Sequence, residues 1–300
     1  MVSIIIINYN TYQLTSVCIR SIYKSTLNIE FEIILVDNGS TECSAELFKN
    51  EFPEIILIKS DKNLGFAKGN NLGISKARGD IILLLNSDTL LIGNSIGECA
   101  IKLTSLPDNF AAISCMLSSP DGAIQKQCSR FPRIFNEFIE LTRIHKLLPA
   151  WKRAVIMLGS YYDHKSDISP DWFWGTFFMF RKAVLKDIPN AILNEDYFMY
   201  CEDMRWCYDF KKAGKKMYYY AKPRIIHVTG GSAANKSDKQ TQIITNELDF
   251  TVKTRGTFYM LIYGLTRAFN ILLSAGRSPM KIASFREYIK DSMKLFSRRM

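Results

Sequence analysis

The sequence predicts an α/β protein with a mostly parallel central sheet, flanked by helices and followed by a C-terminal helical extension. Short β-branched runs alternate with helical patterns through the first third of the chain. The strand-like runs are apolar throughout, which is typical of parallel strands covered on both faces. The tail from Thr251 onward is basic and aromatic, and we expect it to be helical.

The predicted strands of the first third are separated by segments long enough for a crossover helix. They lie at Ile4 to Ile7, Ile33 to Val36, Ile55 to Ile58 and Ile81 to Leu85. Repeated βα units of this kind predict right-handed crossovers. Later in the chain, Phe177 to Phe180 and Arg224 to Val228 are predicted strands, with a helix at Met204 to Ala213 between them.

The segment from about Leu106 to Asp171 has weak periodicity and contains five prolines. Since proline removes a backbone donor and restricts its neighbour, we expect loops and short elements here, arranged around a site.

Composition and charge narrow the class of protein. With 47% hydrophobic and 23% charged residues in 300, the chain is that of a folded globular protein. The net charge is +10, and the segment from Lys253 to the end supplies +8 of it, with ten Lys and Arg against two acids. An anionic partner is indicated, but the nearly neutral first 252 residues argue against a nucleic-acid-binding protein.

Cysteine usage and the N-terminus indicate a reducing, cytoplasmic environment. The seven cysteines include no C-x-x-C pair, which argues against a disulfide framework and a tetrahedral zinc site. Met1 leads directly into a strand pattern without a basic region or a cleavage site, so a signal peptide is not expected. The most apolar stretch, Phe258 to Ala275, is interrupted by Arg267 and Asn270, so we expect no membrane span.

Polar clusters follow three of the predicted strands: Asn8-Tyr9-Asn10, Asp37-Asn38-Gly39-Ser40 and Asn86-Ser87-Asp88. Each alone is ordinary turn chemistry. Three clusters at the carboxyl edge of one sheet predict a ligand site instead, because ligands bind at that edge in open α/β sheets.

Asp88 follows a buried strand, where an unpaired carboxylate is costly, and we therefore expect it to face a cation. Mg²⁺ and Mn²⁺ take carboxylates together with phosphate oxygens and water. His227 ends a predicted strand before two glycines and is either a structural histidine or a further metal ligand.

The segment Asn63 to Gly73 combines glycines, amides and Lys68 at the start of a helix, which suits a diphosphate. It matches neither G-x-G-x-x-G nor a P-loop, so a dinucleotide-binding or P-loop ATPase interpretation fails.

Glu202 and Asp203 precede a helical segment, and their simplest role is to cap it. They are also surrounded by aromatic residues, and an apolar environment raises the pKa of a carboxyl group. A general base that works near neutral pH needs such a pKa.

The ordered set of motifs resembles the family 2 inverting glycosyltransferases of GT-A fold, with the closest similarity to the rhamnosyltransferase-like branch of bacterial surface polysaccharide (O-antigen) synthesis. The resemblance runs from about Val2 to Ser232 and is carried by VSIIIINYN, VDNGS, NLGFAKGNNLGI, LLLNSDT, WGTFFMFRK, NEDYFMYCED and HVTGGS.

This resemblance implies a role for each matching position. Asp203 would be the catalytic base, and Asp88, with His227, would bind Mg²⁺ or Mn²⁺. The residues that would bind the donor nucleotide or shape the sugar and acceptor pocket are Asn8, Asn10, Asp37, Lys68, Asn71, Asn86, Trp174, Gly175, Thr176 and Glu202. Two positions depart from the pattern, with Arg205 where a second acid is usual and Asn194 where an Asp is common.

The resemblance implies single-displacement transfer of a sugar, with rhamnose as a candidate, from a nucleoside-diphosphate sugar to a glycan or lipid-linked acceptor. We expect a catalytic domain at residues 1–235, with a nucleotide-binding half at 1–105 and an acceptor-binding half at 106–235, and an extension at 236–300. A sugar-nucleotide nucleotidyltransferase is the rival enzyme class. It would need a Gly-rich loop with Arg and Lys near the N-terminus, and Val2 to Ser16 contains no basic residue.

The extension is a candidate surface for the anionic inner face of the cell membrane. Its apolar residues are Phe258, Tyr259, Leu261, Ile262, Leu265, Phe269, Leu272 and Leu273, and the flanking basic residues are Arg255, Arg267, Arg277 and Lys281. The alternative is that the apolar residues pack on the protein itself or on a second subunit of a homo-oligomer.

Overall fold

A computed structural model of the chain describes residues 1–228, 236–275 and 278–299. The chain divides into two compact units. Unit 1 comprises Met1–Ser129 and Asp163–Ser232, and unit 2 comprises Arg130–Tyr162 and Ala233–Met300. The segment 130–162, predicted to lie in the acceptor-binding half, therefore belongs to the same compact unit as the C-terminal extension. The division of the remaining residues into two halves at residue 105 stays a prediction.

The sheet of unit 1 contains eight strands in the order β3-β2-β1-β4-β7-β6-β8-β5. Their bounds are β1 Val2–Asn8, β2 Phe31–Asp37, β3 Ile56–Lys59, β4 Ile81–Asn86, β5 Thr89–Ile92, β6 Phe110–Ser118, β7 Phe177–Arg181 and β8 Lys216–His227. Four of the seven neighbouring pairs are parallel and three are antiparallel, so the sheet is mixed. The predicted fold class is confirmed, with a larger antiparallel share than the alternating βα pattern indicated.

Helices flank this sheet. Those of unit 1 are α1 Tyr12–Ser25, α2 Glu46–Glu51, α3 Phe66–Ile74, α4 Ser95–Ser105 and α7 Glu202–Lys212. α1 buries Cys18, Ile19 and Ile22 in a core cluster that also contains the apolar side chains of β1, β2 and β4. Burial of such side chains is the main driving force that holds helices to a sheet.

The prediction of loops and short elements between Leu106 and Asp171 was wrong for β6, which is a nine-residue, almost fully buried strand. Ala111, Ala112, Ser114 and Cys115 are all buried within it. Small and weakly polar side chains at buried positions produce no strong hydrophobic pattern, so periodicity missed the strand.

The register of the sheet brings the polar clusters to one edge. Asn8 at the end of β1 pairs with Asp37 at the end of β2, and Ile7 pairs with Asn86 at the end of β4. At the far side of the sheet, Thr89 in β5 pairs with His227 at the end of β8.

Unit 2 is helical. Its α-helices are α5 Ile134–Leu141, α6 Ala150–Met157, α8 Lys236–Arg255, α9 Thr257–Ala275 and α10 Pro279–Arg299. Ile244, Leu248, Met260 and Tyr263 belong to its own core. No helix within the described residues combines the length and apolar character that a membrane span requires.

A buried polar contact joins α5 to α9 in unit 2. Asn270 Nδ2 donates to Glu137 Oε2 at 2.7 Å, and Arg267 Nη1 lies 3.3 Å from Glu137 Oε1. Burial raises the pKa of the Glu137 carboxyl, and the Arg267 charge partly opposes that rise. The opposite charges of Glu137 and Arg267 therefore partly offset the cost of burying the two side chains inside the helical unit.

Candidate functional site

The ends of β1 and β2 are joined by a hydrogen-bond network around Asp37. Asn8 Nδ2 donates to Asp37 Oδ1 and to Ser40 Oγ, both at 2.9 Å. Asn8 Oδ1 accepts the hydroxyls of Thr11 and Thr15 at 3.1 Å and 2.9 Å. Every polar atom of the Asn8 amide therefore has a partner within the chain, and the amide orients the Asp37 carboxylate.

Asn10 holds the loop that follows β2. Its backbone is left-handed, with φ of 53°, and its Oδ1 accepts the backbone N–H groups of Thr41 and Glu42. Asn8 thus contacts Asp37 directly, Asn10 contacts the loop that follows it, and both stabilise that loop. Their contact with a nucleotide stays a prediction.

Asn86 connects this edge to the segment before β7. Its backbone N–H donates to the Thr176 carbonyl at 3.0 Å, while its Oδ1 is buried and has no hydrogen-bond partner among the described residues. An unpaired buried amide oxygen is costly, which makes this atom a candidate acceptor at the edge of the sheet. The next residue, Ser87, shares a hydrogen bond with Thr11 at 3.2 Å.

Asp88 and His227, which are 139 positions apart in the sequence, meet at the edge of the sheet. His227 Nε2 lies 3.4 Å from Asp88 Oδ1, and Val228 N donates to the Asp88 carbonyl at 2.8 Å. The antiparallel pairing of β5 with β8 brings the two together. The predicted metal-binding pair is therefore assembled by the fold.

Gln125 sets the orientation of the His227 ring. Gln125 Nε2 donates to the His227 carbonyl at 3.0 Å, which leaves Gln125 Oε1 as the acceptor for the His227 Nδ1–H at 2.8 Å. The other ring nitrogen, Nε2, therefore faces the Asp88 carboxylate at 3.4 Å. In the neutral ring the Nε2 lone pair and the carboxylate oxygen could bind one cation together.

This donor set fits a divalent cation. The described ranges contain no group of three or more His, Cys, Asp or Glu side chains that could hold a metal. Asp88 and His227 would supply two ligands, and diphosphate oxygens and water would complete the coordination that Mg²⁺ or Mn²⁺ requires.

Glu202 and Asp203 begin α7 after a strained entry. Tyr200 and Cys201, just before the helix, have φ of 68° and 71°. Left-handed backbone at two successive residues other than glycine is uncommon and costs about 1 to 3 kcal/mol for each residue. The strain places both carboxyl groups at the positive end of the helix dipole.

Asp203 is held by two backbone donors. Gly175 N donates to Asp203 Oδ2 at 2.9 Å, and Met204 N donates to Asp203 Oδ1 at 2.7 Å. Position 175 is close-packed, because a Cβ there would lie 3.2 Å from Phe66 Cε1. The predicted residues Gly175 and Asp203 are therefore in direct contact, and Thr176 links them to Asn86.

Burial raises the pKa of Asp203 to about 6, and the two backbone N–H bonds only partly oppose that rise. The pKa of Glu202 is raised well above its usual value, first by burial and then by the Asp203 charge. Glu202 Oε2 is buried and has no hydrogen-bond partner among the described residues. Glu202 therefore holds its proton more tightly than Asp203, and Asp203 is the member of the pair that ionises first.

Lys68 and Asn71 both lie on α3 but have different environments. α3 follows Gly65, whose φ is 81°, and a Cβ at that position would lie 2.6 Å from the Phe198 carbonyl oxygen. Lys68 is exposed in the first turn. Asn71 Nδ2 donates to the Leu193 carbonyl and to Glu195 Oε1, at 2.8 Å and 2.9 Å, so its amide tethers the loop before α7.

Trp174 is partly buried and packs against the core of unit 1. Arg205, at the position where an acid is usual, pairs with Asp196 at 3.1 Å and with Asp209 at 3.0 Å. Arg205 therefore stabilises α7 and the preceding loop.

Sequence reasoning missed Gln125, Ser40 and Thr11, which orient the predicted ligands. Gln125 lies in the segment predicted to be loops, and its partner His227 is 102 positions away. Ser40 belongs to the predicted polar cluster after β2, but its contact with Asn8 depends on the register of β1 with β2. Thr11 contacts Asn8 locally, three residues away, and no sequence pattern marked that contact.

A comparison with known protein families matches residues 3–189 to the family described as Glycosyl transferase family 2. Glycosyltransferase GlyG of Streptococcus pneumoniae serotype 4 is 33% identical over 99 residues, which are 32% of this chain and 33% of GlyG. The N-acetylglucosaminyl-diphospho-decaprenol L-rhamnosyltransferase of Mycobacterium tuberculosis is 22% identical over 210 residues, 65% of this chain and 66% of the relative. The aligned region thus spans about one third of GlyG.

Two solved structures share the fold at low identity. The mannosyltransferase PcManGT from Pyrobaculum calidifontis, in complex with GDP-Man and Mn²⁺, has a TM-score of 0.58 at 13% identity, covering 99% of this chain and 85% of its own. S. aureus TarS 1–349 in complex with UDP-GlcNAc has a TM-score of 0.57 at 14% identity, covering 99% and 82%. These similarities confirm the GT-A-type fold.

Proposed function

Because the chain belongs to glycosyl transferase family 2, we propose that it transfers a sugar from a nucleoside-diphosphate sugar to an acceptor hydroxyl with inversion at the anomeric carbon. The observation that carries this proposal is Asp203: a carboxylate with a pKa near 6, fixed by two backbone donors at a helix N-terminus. The family match argues against the nucleotidyltransferase alternative.

Asp203 acts as the general base. Its Oδ atoms take the proton of the acceptor hydroxyl as the acceptor oxygen forms a bond to the anomeric carbon. On the opposite face the bond from that carbon to the diphosphate oxygen breaks, and the electron pair leaves with the nucleoside diphosphate. A single displacement of this kind inverts the configuration and leaves no sugar on the protein.

Glu202 supports this role. Burial and the Asp203 charge raise the pKa of Glu202 and so favour its protonated form, which adds no second negative charge beside Asp203. The hydrogen bond from Gly175 N keeps the Asp203 carboxylate in one orientation, so little reorganisation is needed when the proton is transferred.

Asp88 and His227 are the residues that would hold Mg²⁺ or Mn²⁺. A bound divalent cation would supply charge neutralisation for the departing diphosphate. Gln125 keeps the His227 Nε2 atom directed toward Asp88. The binding of GDP-Man with Mn²⁺ by the structural neighbour PcManGT supports this assignment.

Asp37 is proposed to bind the nucleoside, with Asn8 and Asn10 fixing its loop. Lys68, exposed in the first turn of α3, is proposed to contact the diphosphate, and the buried Asn86 Oδ1 to accept a donor hydroxyl. Trp174, Gly175 and Thr176 would shape the sugar and acceptor pocket.

The finer assignment is transfer of rhamnose to a lipid-linked or glycan acceptor in polysaccharide synthesis in the cytoplasm. It is supported by the similarity to the M. tuberculosis rhamnosyltransferase. We propose no direct contact of Asn71 with the substrates. Its role is to hold the loop before α7.

The proposal is tested by screening UDP-, GDP- and dTDP-linked sugars for nucleoside diphosphate release in the presence of Mn²⁺. The wild type should consume one donor class. Asp203→Asn should lose release by a factor of roughly 10² or more, the usual contribution of a positioned base. Asp108→Asn is the matched control, since Asp108 is an acid just before β6 whose side chain is 96% exposed. Equal losses in both variants would contradict the role of Asp203.

A further inference from the structure

Unit 2 exposes large apolar side chains on several of its helices. The described examples with more than a third of their surface exposed are Phe135, Phe138, Ile144, Leu147, Trp151, Val155, Phe258, Ile262, Phe269, Leu272, Leu273, Met280 and Met293. Leu147 is 83%, Phe258 70% and Trp151 66% exposed. Isolated apolar residues are normal on a surface, but a group of this size on one small unit indicates an interaction surface.

The α9 residues of this group form one stripe. At about 100° per residue, Phe258, Ile262, Phe269, Leu272 and Leu273 fall within an arc of about 100° on the helix. The partly buried Leu261 and Leu265 lie within or beside the same arc. The other side of α9 carries Met260 and Tyr263 into the core of unit 2, so the helix is apolar on two faces, one of which is exposed.

The segment 135–155 adds a second group within the same unit, because α5 packs on α9. Exposed apolar residues here alternate with exposed basic ones: Leu147 follows Lys146, and Trp151 precedes Lys152. Lys152 Nζ lies 5.3 Å from the centre of the Trp151 ring. Aromatic and basic side chains side by side are typical of helices that lie in a membrane interface.

The two units differ in net charge. Unit 2 contains 18 Lys and Arg against 7 Asp and Glu, a net charge of +11, whereas unit 1 contains 21 against 22. The net positive charge of the chain therefore belongs to the smaller unit, in which the exposed apolar side chains are also more closely spaced along the chain. An anionic surface complements both properties, since it attracts the basic residues and accepts the apolar ones.

A second copy of this chain would fit less well. A two-fold contact through this surface would bring two units of +11 together, and like charges that face each other oppose association. An anionic lipid surface gains from the same charges.

We propose that unit 2 binds an anionic lipid bilayer through the α9 stripe and the exposed residues of segment 135–155, lying in the interface without crossing it. This surface goes beyond the proposed sugar transfer and does not depend on it. The proposed surface differs from the predicted one at two residues. Arg267 pairs with Glu137 within the helical unit, and the Tyr259 hydroxyl accepts the Ile134 N–H at 3.0 Å, so both side chains are engaged inside unit 2. The predicted flanking residue Arg277 lies outside the described residues.

The test is flotation of the full chain with vesicles of phosphatidylcholine, with or without phosphatidylglycerol. The wild type should float with the anionic vesicles at low salt and be released at 1 M salt, where charges are screened within about 3 Å. Phe269→Glu with Leu273→Glu should abolish flotation. Lys146→Gln with Lys152→Gln should weaken it on the order of 30-fold, from about tenfold per 1.4 kcal/mol and about 1 kcal/mol per basic residue.

Ile101→Glu in α4 is the matched control, because Ile101 is an equally exposed apolar residue of unit 1 and should not contribute. Trp151 provides a readout that does not depend on any folding defect of the Glu variants. Brominated lipids should quench part of the wild-type fluorescence, and that part should be missing in Trp151→Phe.

Three results would overturn the proposal. The first is a wild type that does not float with anionic vesicles. The second is an Ile101→Glu variant that loses binding as strongly as the stripe variant. The third is a wild type that does not bind vesicles but forms a dimer in light scattering, together with a stripe variant that is monomeric; this result would identify a second copy as the partner.

Discussion

Replacing Asp203 by Asn should reduce the transfer rate and increase the free energy of unfolding. Because the pKa of Asp203 controls both, the wild type should transfer faster but become less stable as the pH rises through that pKa. The folded pKa of Asp203 is about 6, above its ordinary value of 3.8. The folded protein therefore binds this proton more tightly than the unfolded chain does. The resulting stabilisation is complete below the unfolded pKa and is lost as the pH rises through 6.

The size of the stability effect follows from a difference of about two pKa units, at 1.36 kcal/mol per unit. Above pH 6 the ionised Asp203 should cost about 3 kcal/mol, which Asp203→Asn removes. The single amide oxygen of Asn replaces only one of the two carboxylate oxygens that accept the Gly175 and Met204 N–H groups, which costs about 1 kcal/mol at every pH. The stability of the variant relative to the wild type should therefore rise by about 3 kcal/mol from below pH 4 to well above pH 6. Guanidinium unfolding at both pH values, followed by tryptophan fluorescence with the buried Trp206 as the reporter in α7, measures the difference.

The transfer rate should show the same pKa. A base with a pKa near 6 is about 90% ionised at pH 7 and about 9% at pH 5, so wild-type kcat/KM should fall about tenfold between them. A base at the ordinary Asp pKa would lose almost nothing over that range. Glu202→Gln is the matched control: it preserves a neutral group and should retain transfer. A flat profile between pH 5 and 7, or a stability gain in Asp203→Asn that does not vary with pH, would refute this account of the site.

Three further predictions concern the surrounding residues. Asp88→Asn should abolish Mn²⁺-dependent binding of a nucleoside diphosphate in calorimetry, while Asp121→Asn, at an exposed carboxylate, should bind as the wild type does; unchanged affinity in the first variant would exclude Asp88 as a ligand. Gln125→Met should weaken Mn²⁺ binding about 10- to 100-fold, and Gln125→Glu, which still accepts the His227 Nδ1–H, should restore most of it; equal losses would show that Gln125 acts by packing alone. Asn71→Ala removes three hydrogen bonds to the loop before α7 and should destabilise the protein by about 1 to 3 kcal/mol in denaturant unfolding; a loss below measurement error would mean that the loop is held without the tether.

The part of the fold that the sequence could predict is the part with uniform apolar strands. β1, β2 and β4 each contain four or more successive Ile, Leu or Val residues, and all three lie within a residue or two of the predicted positions. β6 could not be predicted, because its alanines, Ser114 and Cys115 are buried by tertiary contacts that leave no local pattern.

The residues of the candidate site also fall into a predictable and an unpredictable group. The positions of Asp37, Asn86 and Asp88 at the edge of the sheet were predictable, because each lies at or just after the end of a strand that is readable from the sequence. Their roles stay predictions. The partners that orient them were not predictable, since the contact of Gln125 with His227 depends on strands that are distant in the chain. The pairing of Gly175 with Asp203 likewise joins positions 28 residues apart.

The domain organisation shows the same limit. The basic, aromatic tail was predicted to be helical, and α8, α9 and α10 are present. Its association with the segment 130–162 could not be predicted, because it rests on contacts such as Asn270 with Glu137, which are 133 positions apart.

Inverting sugar transfer by Asp203 is tested most directly by the stereochemistry of donor cleavage. The donor found in the nucleotide-sugar screen is incubated with the wild type and Mn²⁺, and the anomer first released to water or acceptor is identified by NMR before mutarotation. The predicted result is an anomeric configuration opposite to that of the donor, formed by the wild type and by Glu202→Gln but not by Asp203→Asn. Retention of the donor configuration, or equal formation of the inverted product by Asp203→Asn, would contradict the proposed mechanism.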